Sequence, residues 1–96
     1  MKVITVCSSL QFLEEIKIYT EKLALEGNCV LSIIYPTKKD YTTEEIQFLE
    51  NDHIKKIDLS DAIFVINKNG YIGDAVKKEI EHARKTGKEI MYLEEN

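Results

Sequence analysis

Asp61-Ala62-Ile63-Phe64-Val65-Ile66-Asn67-Lys68-Asn69-Gly70-Tyr71-Ile72-Gly73-Asp74-Ala75-Val76 is the stretch that decides the fold. Its apolar run, Ala62 to Ile66, has no polar alternation and reads as a strand buried on both faces. Asn67 to Gly73 is a loop, in which glycines permit positive φ and close backbone approach to a ligand. Val76, Ile80 and Ala83 then recur at helical spacing toward Gly87, a good residue to end a helix. Ile90-Met91-Tyr92-Leu93 follows as a last strand. Upstream the same alternation holds. Val3-Ile4-Thr5-Val6-Cys7 is a first strand, and Ser9 is placed to cap a helix carrying Phe12, Leu13, Ile16, Tyr19 and Leu23 to Gly27. Cys29 to Ile34 is a second strand and Tyr35 to Tyr41 a loop. Thr42 with Glu45 forms a capping box that opens a second helix, with Ile46, Leu49 and Ile57 on one stripe.

The order β-α-β-α-β-α-β predicts a single α/β domain over residues 1–96. Helices cover both faces of a four-stranded parallel sheet, as a three-layer flavodoxin-like or Rossmann-like fold with strand order 2-1-3-4. In such sheets a ligand binds beyond the carboxyl ends of the strands at the switch point, here strands one and three. That makes Cys7-Ser8-Ser9 and Asn67 to Asp74 the candidate ligand loops.

Composition narrows the function classes. The 96 residues are 44% hydrophobic and 31% charged, with a net charge of −4 and a pI near 5.2. An acidic balance argues against polymeric nucleic acid, whose phosphates demand a Lys/Arg surplus, but leaves a single nucleotide open. No apolar run approaches a membrane span and the N-terminus is unlike a secretory signal, so a cytoplasmic protein with free thiols is expected. Cys29 reads as buried and inert. Cys7 borders the first ligand loop, with no cation near it in sequence.

Glu79 is the most informative residue. On a helical wheel it lies about 60° from the mean direction of Val76, Ile80 and Ala83, so its carboxylate borders the buried stripe. Its neighbours at i±3 and i±4 are Ala75, Val76, His82 and Ala83, none of them Lys or Arg. Glu81, by contrast, has Lys77, Lys78, Arg84 and Lys85 at those offsets, as a solvated ion-paired face does. A carboxylate at a core edge without a local cation needs another partner or a shift toward its neutral form, which is how a catalytic acid looks. His53 falls near the middle of the second helix's stripe and faces the sheet or a crevice above it; it is the candidate proton carrier. Asp52 points off that stripe. Ser8 and Ser9 supply hydroxyls and N–H groups for a phosphate or sugar. Asn67, Gly70, Tyr71 and Gly73 line the second loop, with Tyr71 able to stack on a base. Asp74 opens the third helix. Asp58 and Asp61 sit at the opposite, amino end and read as turn or capping residues. His53 and His82 stand alone, no H-x-x-x-H spacing exists, and neither a metal nor a cofactor is expected.

Val6-Cys7-Ser8-Ser9, Asp61 to Asn67, the Gly-containing loop, and Glu79-Ile80-Glu81-His82-Ala83 with Gly87-Lys88 resemble the nucleoside 2-deoxyribosyltransferase-like superfamily, which includes the deoxynucleoside 5′-monophosphate N-glycosidases. That family's catalytic Glu stands in E-x-G-x-A followed by G-K. Glu79, Ala83 and Gly87-Lys88 match, and Glu81 replaces the Gly. The resemblance implies that Glu79 attacks the anomeric carbon or supports an oxocarbenium-like transition state. Ser8 stands where the family has a Gly, and His53 where it has an Asp that assists the base or sugar. His53 is then the candidate general acid for the departing base. The family also implies a homodimer or larger homo-oligomer, for which Tyr35, Tyr41 and Tyr92 offer contact residues.

The alternative is a non-catalytic nucleotide-binding or protein-interaction module on the same fold. A phosphoacceptor domain is disfavoured, because Ser8-Ser9 and Asn67 stand where acids are needed. A flavin site is disfavoured by the lack of a hydroxyl-rich first loop.

Overall fold

The structure, a computed structural model, describes residues 1–95. Strand β1 (Val3–Ser8) is followed by a single 3-10 turn and helix α1 (Leu13–Leu25), then β2 (Cys29–Leu31), α2 (Thr43–Asp58), β3 (Ala62–Ile66), α3 (Asp74–Lys85) and β4 (Glu89–Tyr92). The sheet is wholly parallel with order β2-β1-β3-β4, as the alternating pattern predicts. No helix among the described residues is long and apolar enough to cross a membrane.

The pleat of period two sorts the core into two layers. Ile4, Val6, Ala62, Phe64 and Ile66 face α1, where Ile16 and Leu23 meet them and Tyr19 stacks on Phe64. Cys7, Ile63 and Val65 face the other way, against Ile57 of α2 and Val76, Ile80 and Ala83 of α3. Parity alone therefore turns Cys7 toward the helices that carry His53 and Glu79.

The helix ends follow the sequence signals. The Thr42 hydroxyl accepts from Glu45 N at 3.1 Å, and the Glu45 carboxylate accepts from Thr42 N at 2.9 Å, which completes the capping box. Asp61 acts as a turn residue: its carboxylate accepts from Val3 N at 2.8 Å and ties the start of β3 to the start of β1.

Two expectations are corrected. The second strand is three residues, not six, and pairs only with Val3 to Thr5. Beyond Leu31 the chain leaves the sheet, so Ile33 and Ile34 wall a cleft instead of extending the ladder. Cys29 is exposed rather than buried, because β2 is an edge strand with one flank unpaired.

Candidate functional site

Helices in a parallel α/β fold run antiparallel to the strands, so the first halves of α2 and α3 overhang the carboxyl ends of β1 and β3. A cleft of about 250 Å³ opens there, lined by Ser8, Leu10, Ile33, Ile34, Ile46, Leu49, Glu50, Asp52, His53, Ala75 and Glu79. A groove lined in part by Lys38, Lys39 and Tyr41 shares the wall of Leu10, Ile34, Ile46 and Leu49.

At the cleft's base three side chains from three elements meet. His53 Nε2 of α2 lies 3.4 Å from the Cys7 sulfur of β1 and 3.3 Å from a carboxylate oxygen of Glu79 on α3. The Glu79 side chain is 18% exposed and that of His53 only 8%. Among the described residues, no Lys or Arg lies within ion-pair distance of Glu79. The partner its helical position called for is the imidazole across the α2–α3 seam. Burial pushes the Cys7 thiol well above the ordinary thiol range, and the neighbouring Glu79 charge and its hydrogen bond push it further. Cys7 is thus a neutral thiol at the floor of the site and no ready nucleophile. His53 Nδ1 is buried with no hydrogen-bond partner among the described residues.

Of the expected ligand residues, the structure joins Glu79, His53, Cys7 and Ser8 into one site. Ser8 lines the cleft, although its hydroxyl donates to the Ser9 carbonyl at 2.9 Å. Ser9 caps the 3-10 turn Leu10–Phe12 rather than α1, accepting from Gln11 N at 3.4 Å. Phe12 N is in turn held by Ser9 O. Two of the N–H groups expected to greet a phosphate, those of Gln11 and Phe12, are therefore consumed within the loop.

The second loop does not reach the cleft. Asn67 is fully buried, and its amide exchanges two hydrogen bonds with the backbone of Glu94, at 2.9 and 2.8 Å. This locks the end of β3 to the chain beyond β4. Asn69 and Gly70 take positive φ and close a turn, with Asn69 N donating to the Glu94 carboxylate. Tyr71 packs edge-on against Phe12. Gly73 precedes α3 as its N-cap residue, and Asp74 is fully exposed at the first helical position. None of Asn67, Gly70, Tyr71, Gly73 and Asp74 lines the cleft. Tyr92 is partly buried and, with Ile90, packs against the core layer that α3 covers.

Sequence reasoning missed the apolar wall and two acids, Glu50 and Asp52. Ile46 and Leu49 share the stripe of buried Ile57, yet they stay 47% and 38% exposed, because the sheet ends before it reaches them. Asp52 lines the cleft although its wheel position points it off the stripe, and Lys56 one turn later pairs with it at 2.8 Å. The available signal was an apolar stripe on α2 longer than the strands beneath it. No family model matches the chain, and no curated protein matches it.

Proposed function

We propose that the protein cleaves or exchanges the N-glycosidic bond of a nucleoside or nucleoside monophosphate, with Glu79 as the carboxylate that meets the anomeric carbon. One observation carries this reading. A carboxylate free of any Lys or Arg partner sits in a cleft beyond the carboxyl ends of β1 and β3, held by a buried imidazole 3.3 Å away. An ion-paired Glu would be spent on its cation. One oriented by a neutral or transiently charged ring keeps an oxygen for an electron-poor carbon. The resemblance of Glu79, Ala83 and Gly87-Lys88 to the deoxyribosyltransferase-like pattern supports the same residue.

The chemistry balances on these two groups. The bonding electrons of the C–N bond pass to the base, which leaves with a proton from the imidazolium form of His53. Glu79 either bonds to the anomeric carbon or stabilises its positive charge. Water, or a second base, then attacks that carbon, displacing the Glu79 carboxylate where it has bonded, and returns a proton to His53. The apolar wall of Leu10, Ile34, Ile46 and Leu49 suits the flat face of a base. These side chains stay 38–55% exposed, so a second copy of the chain closing over them would exclude water; sedimentation of the purified chain tests that assembly.

The test is a panel of deoxynucleosides and deoxynucleoside monophosphates assayed for free base, with Glu79→Ala beside the wild type. Release from at least one substrate, lost in the variant, is expected. Release that persists in Glu79→Ala removes Glu79 from the chemistry. Ser8 and His53, standing where the resembled family has Gly and Asp, favour a second reading, a module that binds without cleaving. Binding with no base released from any substrate would establish it.

A further inference from the structure

Cys7, His53 and Glu79 form more than a hydrogen-bonded trio. Their sulfur, ring nitrogen and carboxylate oxygen all lie within 4.8 Å of one another. A tetrahedral zinc ion, with bonds of about 2.3 Å to sulfur and about 2.0–2.2 Å to nitrogen and oxygen, spaces its donors roughly 3.4–3.6 Å apart. The two measured edges here are 3.4 Å for sulfur to nitrogen and 3.3 Å for nitrogen to oxygen. Two of the three edges thus match tetrahedral spacing before any ion enters, and the sulfur and the carboxylate oxygen lie within 4.8 Å of each other. Nε2 offers either one hydrogen or one lone pair, yet both the sulfur and the carboxylate converge on it. An ion at the common centre gives each of the three its own bond.

We propose that Cys7, His53 and Glu79 bind a thiophilic divalent cation of the zinc class, with the fourth coordination position turned toward the cleft. The thiol loses its proton to solvent as the ion binds. Sulfur and imidazole select Zn²⁺ or Co²⁺ over Mg²⁺ and Ca²⁺, which take oxygen ligands. His53 Nδ1 has no acceptor to brace the ring, so the hold is weaker than in a structural zinc site, where that outer contact is usual. Because Glu79 is shared, the ion and a glycosyl group exclude each other. That consequence alone rests on the base-release reading; the binding does not.

Co²⁺ titration of the full chain, read by absorbance, tests the site without reference to activity. One ion per chain is expected, with a thiolate-to-cobalt charge-transfer band in the near ultraviolet. Zn²⁺ should displace it and Mg²⁺ should not. Cys7→Ser should abolish the band, and Cys29→Ser should keep it. Because Cys7 is in the core, Glu79→Gln provides a second check on a partly exposed residue: Co²⁺ affinity should drop by at least about tenfold with the circular dichroism unchanged. A chain that gives no band, a band that survives Cys7→Ser, or an affinity indifferent to Glu79→Gln overturns the proposal. Each of these results leaves the base-release assay to be judged separately.

Discussion

The seam between α2 and α3 is stapled twice by the same chemistry, a histidine and a carboxylate, at opposite ends of the sheet. At the cleft end His53 of α2 meets Glu79 of α3 at 3.3 Å. At the amino end the roles swap, and His82 of α3 meets Asp58 of α2 at 2.6 Å. The shorter contact is the more ordinary one. His82 and Asp58 are 30% and 43% exposed, so water competes for both. His82 also sits in the last turn of α3, where a cation is favoured by the helix dipole, and Lys88 donates to the Asp58 carbonyl nearby. The longer contact is buried, stands over a thiol and borders a cleft. Distance alone would class the two alike; burial and what lies beside the pair separate a solvent-bathed staple from one enclosed at a cleft.

The largest expected break in this comparison is in activity. Glu79→Gln keeps the shape and removes the charge, and should lower base release by on the order of 10³-fold. Asp58→Asn makes the same change at the other staple and should leave the rate within about twofold, as a distant independent site. A rate assay on the two purified variants checks both, and equal losses would mean that the staples act only through the packing of α2 on α3. Stability should show the next largest difference. His53→Ala opens a cavity above Cys7 and leaves Glu79 unpartnered at a core edge, at a cost of about 2–3 kcal/mol by urea denaturation. His82→Ala should cost less than about 1 kcal/mol.

The two staples were not equally legible. The position of Glu79 followed from helical periodicity, because the neighbours one turn away include no Lys or Arg. That His53 shares its cleft followed from the expected topology, whereas their direct contact did not, since His53 lies on another helix and only the crossing of α2 over α3 sets which residues face. Strand order, by contrast, came from the alternation of elements and the handedness of crossovers, which need no side-chain detail. The loops were the least legible. Asn67 and Ser9 have the residue types of a ligand site, but their polar groups are satisfied by Glu94 and Gln11 within the chain. Residue type in a loop reports a need for hydrogen bonds, not which partner meets it. The apolar wall was hidden for a related reason. Ile46 and Ile57 carry the same periodic signal, and only the short reach of β2 leaves one exposed and the other buried.

The smallest expected effects sharpen the contrast between the ends through pH. At the cleft end, the hydrogen bond from Lys38, then that from Thr42 N, holds the Glu45 carboxyl below its usual 4.5. The folded state therefore prefers the charged form. That contribution is complete above the unfolded value and disappears as pH falls through the lower folded value. At the amino end, a hydrogen bond and then the charge of Glu89 raise Lys2 above its usual 10.5. Its contribution is complete below the unfolded value and fades as pH climbs through the higher folded one. Both groups are solvent-exposed, so the shifts in Tm should be small and should shrink with added salt. Glu45→Gln keeps an oxygen for Thr42 N and so isolates the charge from the cap. Its Tm deficit against the wild type should close only in acid, below the usual 4.5 of a Glu, and that of Lys2→Met only in alkali, above the usual 10.5 of a Lys. A Glu45→Gln deficit that persists in acid would show that α2 depends on the geometry of its cap rather than on the ion pair, and that the cleft end is held by hydrogen bonds insensitive to charge.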